Sequence, residues 1–231
     1  MTERKMDSFK KIYLSILILA VGGLLVAQYN TPAVEQLLND SVEGVAYQSN
    51  GNMIVVGKFN GHIARINENN EVDDSFAQST ASGLFNDEVS VVVVDDADDI
   101  MAGGKFTNFD QSIVGYLIKL KANGEVDQDF LRNMGSGFDD QVNSIVLQSD
   151  GKFIIGGNFQ HYNGQSVSHI ARVNKDGSLD KNFKIGSGFD KPVLSISLSH
   201  AGEIKVGGQF TQFNGQSSPY FALLNSSGAL Q

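Results

Sequence analysis

Several groups of side chains in this chain have the types and spacing that chemistry needs. Gly135-Ser136-Gly137 and Gly186-Ser187-Gly188 have the glycine content of phosphate-cradling loops, which work by offering backbone N–H groups at the start of a helix. Neither precedes a helical pattern, and both fall at one phase of a longer repeat, so they read as turns between repeated units. The acids Asp95, Asp96, Asp98 and Asp99, and the alternating Asn174, Asp176, Ser178 and Asp180, offer the oxygen ligands that Ca²⁺ takes. Neither set continues into a twelve-residue loop ending in Glu, and Asp176-Gly177 already accounts for a turn. No metal or cofactor is expected. His62, His161, His169 and His200 lack metal spacing, and His62 and His169 share a repeat phase that implies a scaffold role. No Ser/His/Asp set or carboxylate pair stands apart from the repeated background, so no catalytic residue is assigned.

The best candidates for contact with a partner are Phe109, Tyr162 and Phe213. Each lies in a loop beside Asn and Gln, and an aromatic ring flanked by amides can stack on a sugar or anchor a protein. The competing reading is that the three rings pack between units, since repeats preserve internal contacts first. A second recurring pattern is charged. Arg65, Lys119 and Arg172 share one phase and Asp73, Asp127 and Asp180 another, while the fourth unit has Leu223 and Gln231 there. Joint loss of both partners points to a structural ion pair, exposed and of small energetic value.

These residues must be positioned by something written four times. Val56-Gly57-Lys58-Phe59 returns as Gly103-Gly104-Lys105-Phe106, Gly156-Gly157-Asn158-Phe159 and Gly207-Gly208-Gln209-Phe210, at intervals of 47, 53 and 51 residues. A period of that size means stacked supersecondary units. Each copy opens with an apolar strand (Val42 to Gln48, Val89 to Asp95, Val142 to Gln148, Val193 to Ser199) and a tight turn such as Ser149-Asp150-Gly151-Lys152, a hairpin signal. In the second copy Asp96-Ala97-Asp98-Asp99 stands at that turn and calls for a different geometry. The glycine-bearing strand follows, then a third strand (His62 to Asn67, Gly115 to Lys121, Ser168 to Asn174, Pro219 to Asn225). Val72 to Phe76, Val126 to Phe130 and Leu179 to Phe183 read as a fourth. Four antiparallel strands per copy make one propeller blade.

The expected fold is therefore an all-β propeller of four four-stranded blades, at about 42–88, 89–141, 142–192 and 193–231 plus 33–41. The last blade takes Val34 to Leu38 as its outer strand, which closes the ring and leaves no strand edge open. Two other arrangements stay open: the N-terminal strand is lent to a neighbouring chain, or two chains form one larger ring. At Gln148-Ser149-Asp150-Gly151-Lys152, Gly156-Gly157-Asn158-Phe159, Ile170-Ala171-Arg172-Val173-Asn174 and Asp176-Gly177-Ser178-Leu179-Asp180 the chain resembles the delta-60 repeat β-propellers. The resemblance covers residues 42–231. It implies the propeller fold and an exported setting, and it brings no catalytic residue.

Composition fits that reading. The 231 residues carry 25 Gly, 3 Pro and no Cys, with a formal net charge of −9. An acidic surface repels phosphate backbones, which excludes nucleic acid as a partner. Without cysteine, stability must come from burial alone. Arg4, Lys5, Lys10 and Lys11 precede an apolar run from Ile12 to Ala27, the pattern of a signal peptide over residues 1–27. An uncleaved membrane anchor is the alternative, its membrane contact confined to residues 12–27. The chain is thus expected to be secreted or at the cell surface, as a binding or structural module for a protein or carbohydrate. The alternatives are a membrane-anchored assembly subunit joined by strand exchange, in the periplasm or on the membrane, and a propeller-type lyase or glycosidase.

Overall fold

A computed structural model describes residues 32–76 and 85–231. The expected leader or anchor over residues 1–27 lies outside them. No helix among the described residues is long and apolar enough to cross a membrane.

Four three-stranded antiparallel sheets follow one another along the chain. They are β1 (Val42–Tyr47), β2 (Met53–Gly57) and β3 (Ile63–Ile66); then β4 (Val89–Val94), β5 (Ile100–Gly104) and β8 (Leu117–Leu120), with a ribbon of β6 (Asn108–Phe109) and β7 (Ser112–Ile113) inserted. The third blade has β9 (Val142–Leu147), β10 (Phe153–Gly157) and β13 (Ile170–Val173) with the ribbon β11 (His161–Tyr162) and β12 (Gln165–Ser166). The fourth has β14 (Val193–Leu198), β15 (Ile204–Gly208) and β18 (Phe221–Leu224) with β16 (Gln212–Phe213) and β17 (Gln216–Ser217). The first strand of each blade lies against the first strand of the next, so β1, β4, β9 and β14 form the inner wall. The propeller architecture is as the sequence implies.

The fourth strand of each blade is not formed. It shrinks to single bridges, Ile66–Val72, Leu120–Val126, Val173–Leu179 and Leu224–Leu230. In the first three blades the reason is the aspartate that follows. Asp127 accepts from the backbone N–H groups of Asp129 and Phe130 and caps a helix, Gln128–Met134, where a strand was expected, as an N-cap carboxylate does. Asp73 accepts from Ser75 and Phe76, and Asp180 from Asn182. The chain turns inward there, and Phe76, Phe130 and Phe183 drop into the core.

Residues 34–38 also differ from expectation. Pro32–Leu37 is a short helix, α1 (Gln128–Met134 is then α2), and Val34 packs with Met53, Val55, Ala64 and Ile66 of the first blade. It covers the face of that blade turned away from the second blade and adds no strand to the fourth. Its apolar spacing, Val34, Leu37 and Leu38, puts three side chains on one helical face.

Two close approaches fix the paired glycines. A Cβ on Gly57, Gly104, Gly157 or Gly208 would stand 2.1–2.3 Å from a carbonyl oxygen of the chain entering its own inner strand. A Cβ on Gly103 would stand 2.5 Å from Cγ1 of Val142, and one on Gly156 2.4 Å from Cγ1 of Val193. The first glycine is therefore a socket for the next blade's inner strand, filled by Val142 with Ile145 and by Val193 with Ile196. The first blade solves the same contact in reverse: Val56 takes the socket position, and its cross-strand neighbour is Gly44.

The repeated ion pair forms twice, buried at Arg172–Asp180 and part-buried at Arg65–Asp73. Arg65 Nε lies 2.9 Å from Asp73 and Arg172 Nε 2.8 Å from Asp180. Each guanidinium also covers a phenylalanine, Phe76 or Phe183, at 4.7 Å. Each donates to the outer turn of the next blade, at Ala122 O and Ser226 O. Lys119 breaks the pattern by reaching Asp95 at 3.1 Å and Asp99 at 3.0 Å, leaving Asp127 to its cap. The Asp95–Asp99 turn keeps the ordinary geometry after all, because Asp98 takes the left-handed conformation, φ 63°, that Gly51 and Gly151 hold elsewhere.

Burial alone would raise the Asp180 carboxyl, but hydrogen bonds from Lys152, the Asn182 backbone and Arg172 hold it down at about 2. A carboxyl depressed in the folded state stabilises above its unfolded pKa and loses that contribution as pH falls through the folded one. Asp180 thus contributes about 2 kcal/mol that fades between roughly pH 4 and pH 2. Urea midpoints measured across that range should fall steeply for the native chain and less steeply for Asp180→Asn.

Candidate functional site

The three aromatic candidates are core residues. Phe109, Tyr162 and Phe213 are 5%, 1% and 2% exposed. Phe85 stands between Phe106 and Phe109 at 4.5 and 4.9 Å, Phe138 between Phe159 and Tyr162 at 4.0 and 4.7 Å, and Phe189 between Phe210 and Phe213 at 4.1 and 4.6 Å. Tyr162 also donates its hydroxyl to Gly177 O at 2.6 Å, and burial pushes that phenol up. Rings enclosed this way cannot touch a partner, so the partner-binding expectation is corrected: they fasten each ribbon to its blade.

The other sequence candidates are occupied with turns. Asn163 Oδ1 accepts from the Ser136 N–H and Asn214 Oδ1 from the Ser187 N–H, so both Gly-Ser-Gly segments are loops pinned by the following ribbon. Asp95 accepts from the Ala97 and Asp99 N–H groups, Asp98 from Ser49, and Asp99 from Ala122. His62 and His169 each set Nδ1 against the carbonyl of a socket-strand glycine, Gly57 and Gly157. Burial pushes the His169 imidazole down, towards the neutral form.

One region gathers polar side chains that do not repeat. At the start of the inner strands one position reads Glu43, Ser90, Asn143, Leu194, and the position after the socket strand reads Lys58, Lys105, Asn158, Gln209. Together they edge one mouth of the inner wall. Lys58 Nζ lies 3.6 Å from Glu43 and 3.7 Å from Glu88, joining the first two blades, and Lys105 Nζ lies 3.0 Å from Glu88. Ser41 donates to Glu43 and Ser90 to Glu88. On the third blade Asn143 donates to Asn158 Oδ1 at 3.0 Å and to Val193 O at 2.8 Å. The mouth grades from charged on blades one and two, through amide on blade three, to Leu194 on blade four.

The electrostatics suit binding better than acid catalysis. Burial would raise the Glu88 carboxyl, but hydrogen bonds from Lys105 and Ser90 and the charges of Lys105 and Lys58 keep it below the usual carboxylate range. The hydrogen bond to Glu88 pushes the Lys105 ammonium up. A general acid needs the opposite shift. The two lysine side chains are about half exposed, and each ammonium has three N–H donors. The repeat pattern points away from these residues for a physical reason. Recurrence marks packing, whereas the columns that vary between copies, 43/90/143/194 and 58/105/158/209, are those that packing leaves free.

Four segments of the chain, 48–76, 98–130, 148–183 and 202–230, match the family described as domain of unknown function (DUF5122) beta-propeller. No curated protein sequence matches the chain. Among solved structures, the WD40 β-propeller domain of Doa1 superposes with a TM-score of 0.52 at 19% identity, over 80% of this chain and 51% of that one. The extracellular domain of the hybrid two-component system BT3049 from B. thetaiotaomicron gives 0.54 at 13% identity, over 88% of this chain and 23% of that one. The extracellular domain of the one-component system BT4673 from the same organism gives 0.50 at 12%, over 80% and 22%. The chain thus spans about half the length of the first of these and less than a quarter of the others. At these identities the likeness is one of fold.

Because Tyr162 is enclosed, Tyr162→Ala should lower the unfolding free energy by about 3–5 kcal/mol, and Tyr162→Phe by about 1 kcal/mol through the lost hydroxyl bond. Lys58→Ala should stay within about 0.5 kcal/mol of the native chain. Urea unfolding followed by circular dichroism measures all three.

Proposed function

The chain belongs to the DUF5122 β-propeller family, and we propose that it works as an exported binding module that recognises a polar glycan at the mouth formed by Glu43, Lys58, Glu88, Lys105, Asn143 and Asn158. One observation carries this reading. The columns Glu43, Ser90, Asn143, Leu194 and Lys58, Lys105, Asn158, Gln209 stand at equivalent positions and change chemistry from blade to blade, with Glu88 set between the two lysines. Packing does not dictate them, so their mixture of ammonium, carboxylate and amide groups is free to be set by a ligand. Sugars present many hydroxyls that ask for donors and acceptors together, which such a mixture supplies. Export is supported by Arg4, Lys5, Lys10 and Lys11 ahead of the apolar residues 12–27 and by two of the similar domains being extracellular. The depressed Glu88 carboxyl weighs against the lyase or glycosidase alternative.

The test is retention on a panel of immobilised neutral and uronic-acid oligosaccharides. The native chain should be retained by at least one class, and Lys58→Ala with Lys105→Ala should weaken that retention at least tenfold while circular dichroism shows the variant still folded at the assay temperature. Absence of retention across the panel, or equal retention of the double variant, would contradict the proposal.

A further inference from the structure

We propose that the uncovered side of the fourth blade docks against the first blade of a second copy of this chain, so that two arcs of four blades close one ring. The inference does not depend on what the mouth binds.

Among the described residues the relevant interface is made three times and left unmade once. In the first three blades the side facing the next blade is buried: Ile54, Val56 and Ile63, then Met101, Leu117 and Lys119, then Ile154, Ile170 and Arg172. The same positions in the fourth blade are Lys205, Gly207, Phe221 and Leu223. There Phe221 is 56% exposed, next to Tyr220 at 67%, with Leu194 at 48% on the inner strand. The socket glycine is the more telling residue. A Cβ on Gly103 or Gly156 meets a valine and an isoleucine of the next blade, whereas a Cβ on Gly207 meets nothing nearer than Tyr220 O at 3.9 Å. The fourth blade therefore carries the bare backbone of a docking socket with no side chain of the described residues in it.

The matching knob is on the same chain, at its other end. Val42 and Val45 are the counterparts of Val89 and Val92, of Val142 and Ile145, and of Val193 and Ile196. All six counterparts are buried, yet Val42 and Val45 are only half-buried beneath α1. That helix has six residues, too few to be stable by itself. It stands where a preceding blade stands elsewhere, and docking requires it to swing aside. Lys205 occupies a position that is apolar in the other blades, and its long stem can lie along the interface with the ammonium at the rim. Socket and knob on opposite ends make a head-to-tail contact, which closes when a second copy returns it. Closure also completes the mouth, bringing the partner's blade-one edge beside Leu194 and Gln209.

The chain has no cysteine, so an engineered pair reports the contact without background. Within the chain a Cβ on Gly156 stands 3.1 Å from Val193 Cβ, close to the separation a disulfide bridges. Gly156→Cys with Val193→Cys is the geometric control and should link within one chain. Full-length Val42→Cys with Gly207→Cys, mildly oxidised, should give a species of twice the chain mass whose peptides join position 42 to position 207. A monomer with both thiols consumed would mean that the ring closes within one chain and would overturn the proposal. Links of 42 to 42 or 207 to 207, or thiols left free, would overturn it as well. Native mass of the unaltered chain is the independent check: a dimer at micromolar concentration is expected, and a monomer at every concentration contradicts it.

Discussion

At Gly103 and Gly156 the next blade presses a valine and an isoleucine onto bare backbone, and the spacing of the blades follows from that contact. Close packing of this kind tolerates little change of volume, so the side chains around it are constrained in turn. The cross-strand neighbours of the glycines, Val91 and Ser144, present the rest of the socket. In the first blade the small residue moves to Gly44 and the large one to Val56, which preserves total volume while exchanging the partners. Outside this inner contact, Arg65 and Arg172 reach across to the next blade's outer turn. The blades are thus tied at an inner socket and an outer guanidinium, and the rigid wall between them holds the mouth residues in place.

The same arrangement explains why the ends of the arc differ. A repeat that stacks through unlike surfaces leaves one socket and one knob unused, and terminal units of such arrays need covering. Here α1 covers the knob of the first blade, with Val34 fully enclosed, while the fourth blade keeps Phe221 and Leu194 in solvent. Leu223 stands at the arginine position of the same blade.

The blade order, inner strands and hairpin turns were legible in the sequence because each rests on a local rule: β-branched runs, Asn-Gly and Asp-Gly turns, and a fixed period. The fourth strand was misread because Val126-Asp127 looks extended until the aspartate is seen as a helix cap, which depends on Phe130 finding a place in the next blade. The paired glycines were legible as a close approach, but which atoms approach is a tertiary fact. The site was the least legible part. Phe109, Tyr162 and Phe213 recur because they hold ribbons to blades, and recurrence is a signature of packing. The mouth is visible only once equivalent positions are compared for their differences, and Lys58 and Glu88 come from different copies.

The central claim is that the socket glycine is required by the knob it receives, and a double-mutant cycle tests it most directly. Gly156→Ala, Val193→Ala and the double variant would be compared with the native chain by urea unfolding. Overpacking should make Gly156→Ala cost about 1–3 kcal/mol, and the same substitution should cost at least about 1 kcal/mol less once Val193 is alanine. Additive effects of the two substitutions would contradict the account.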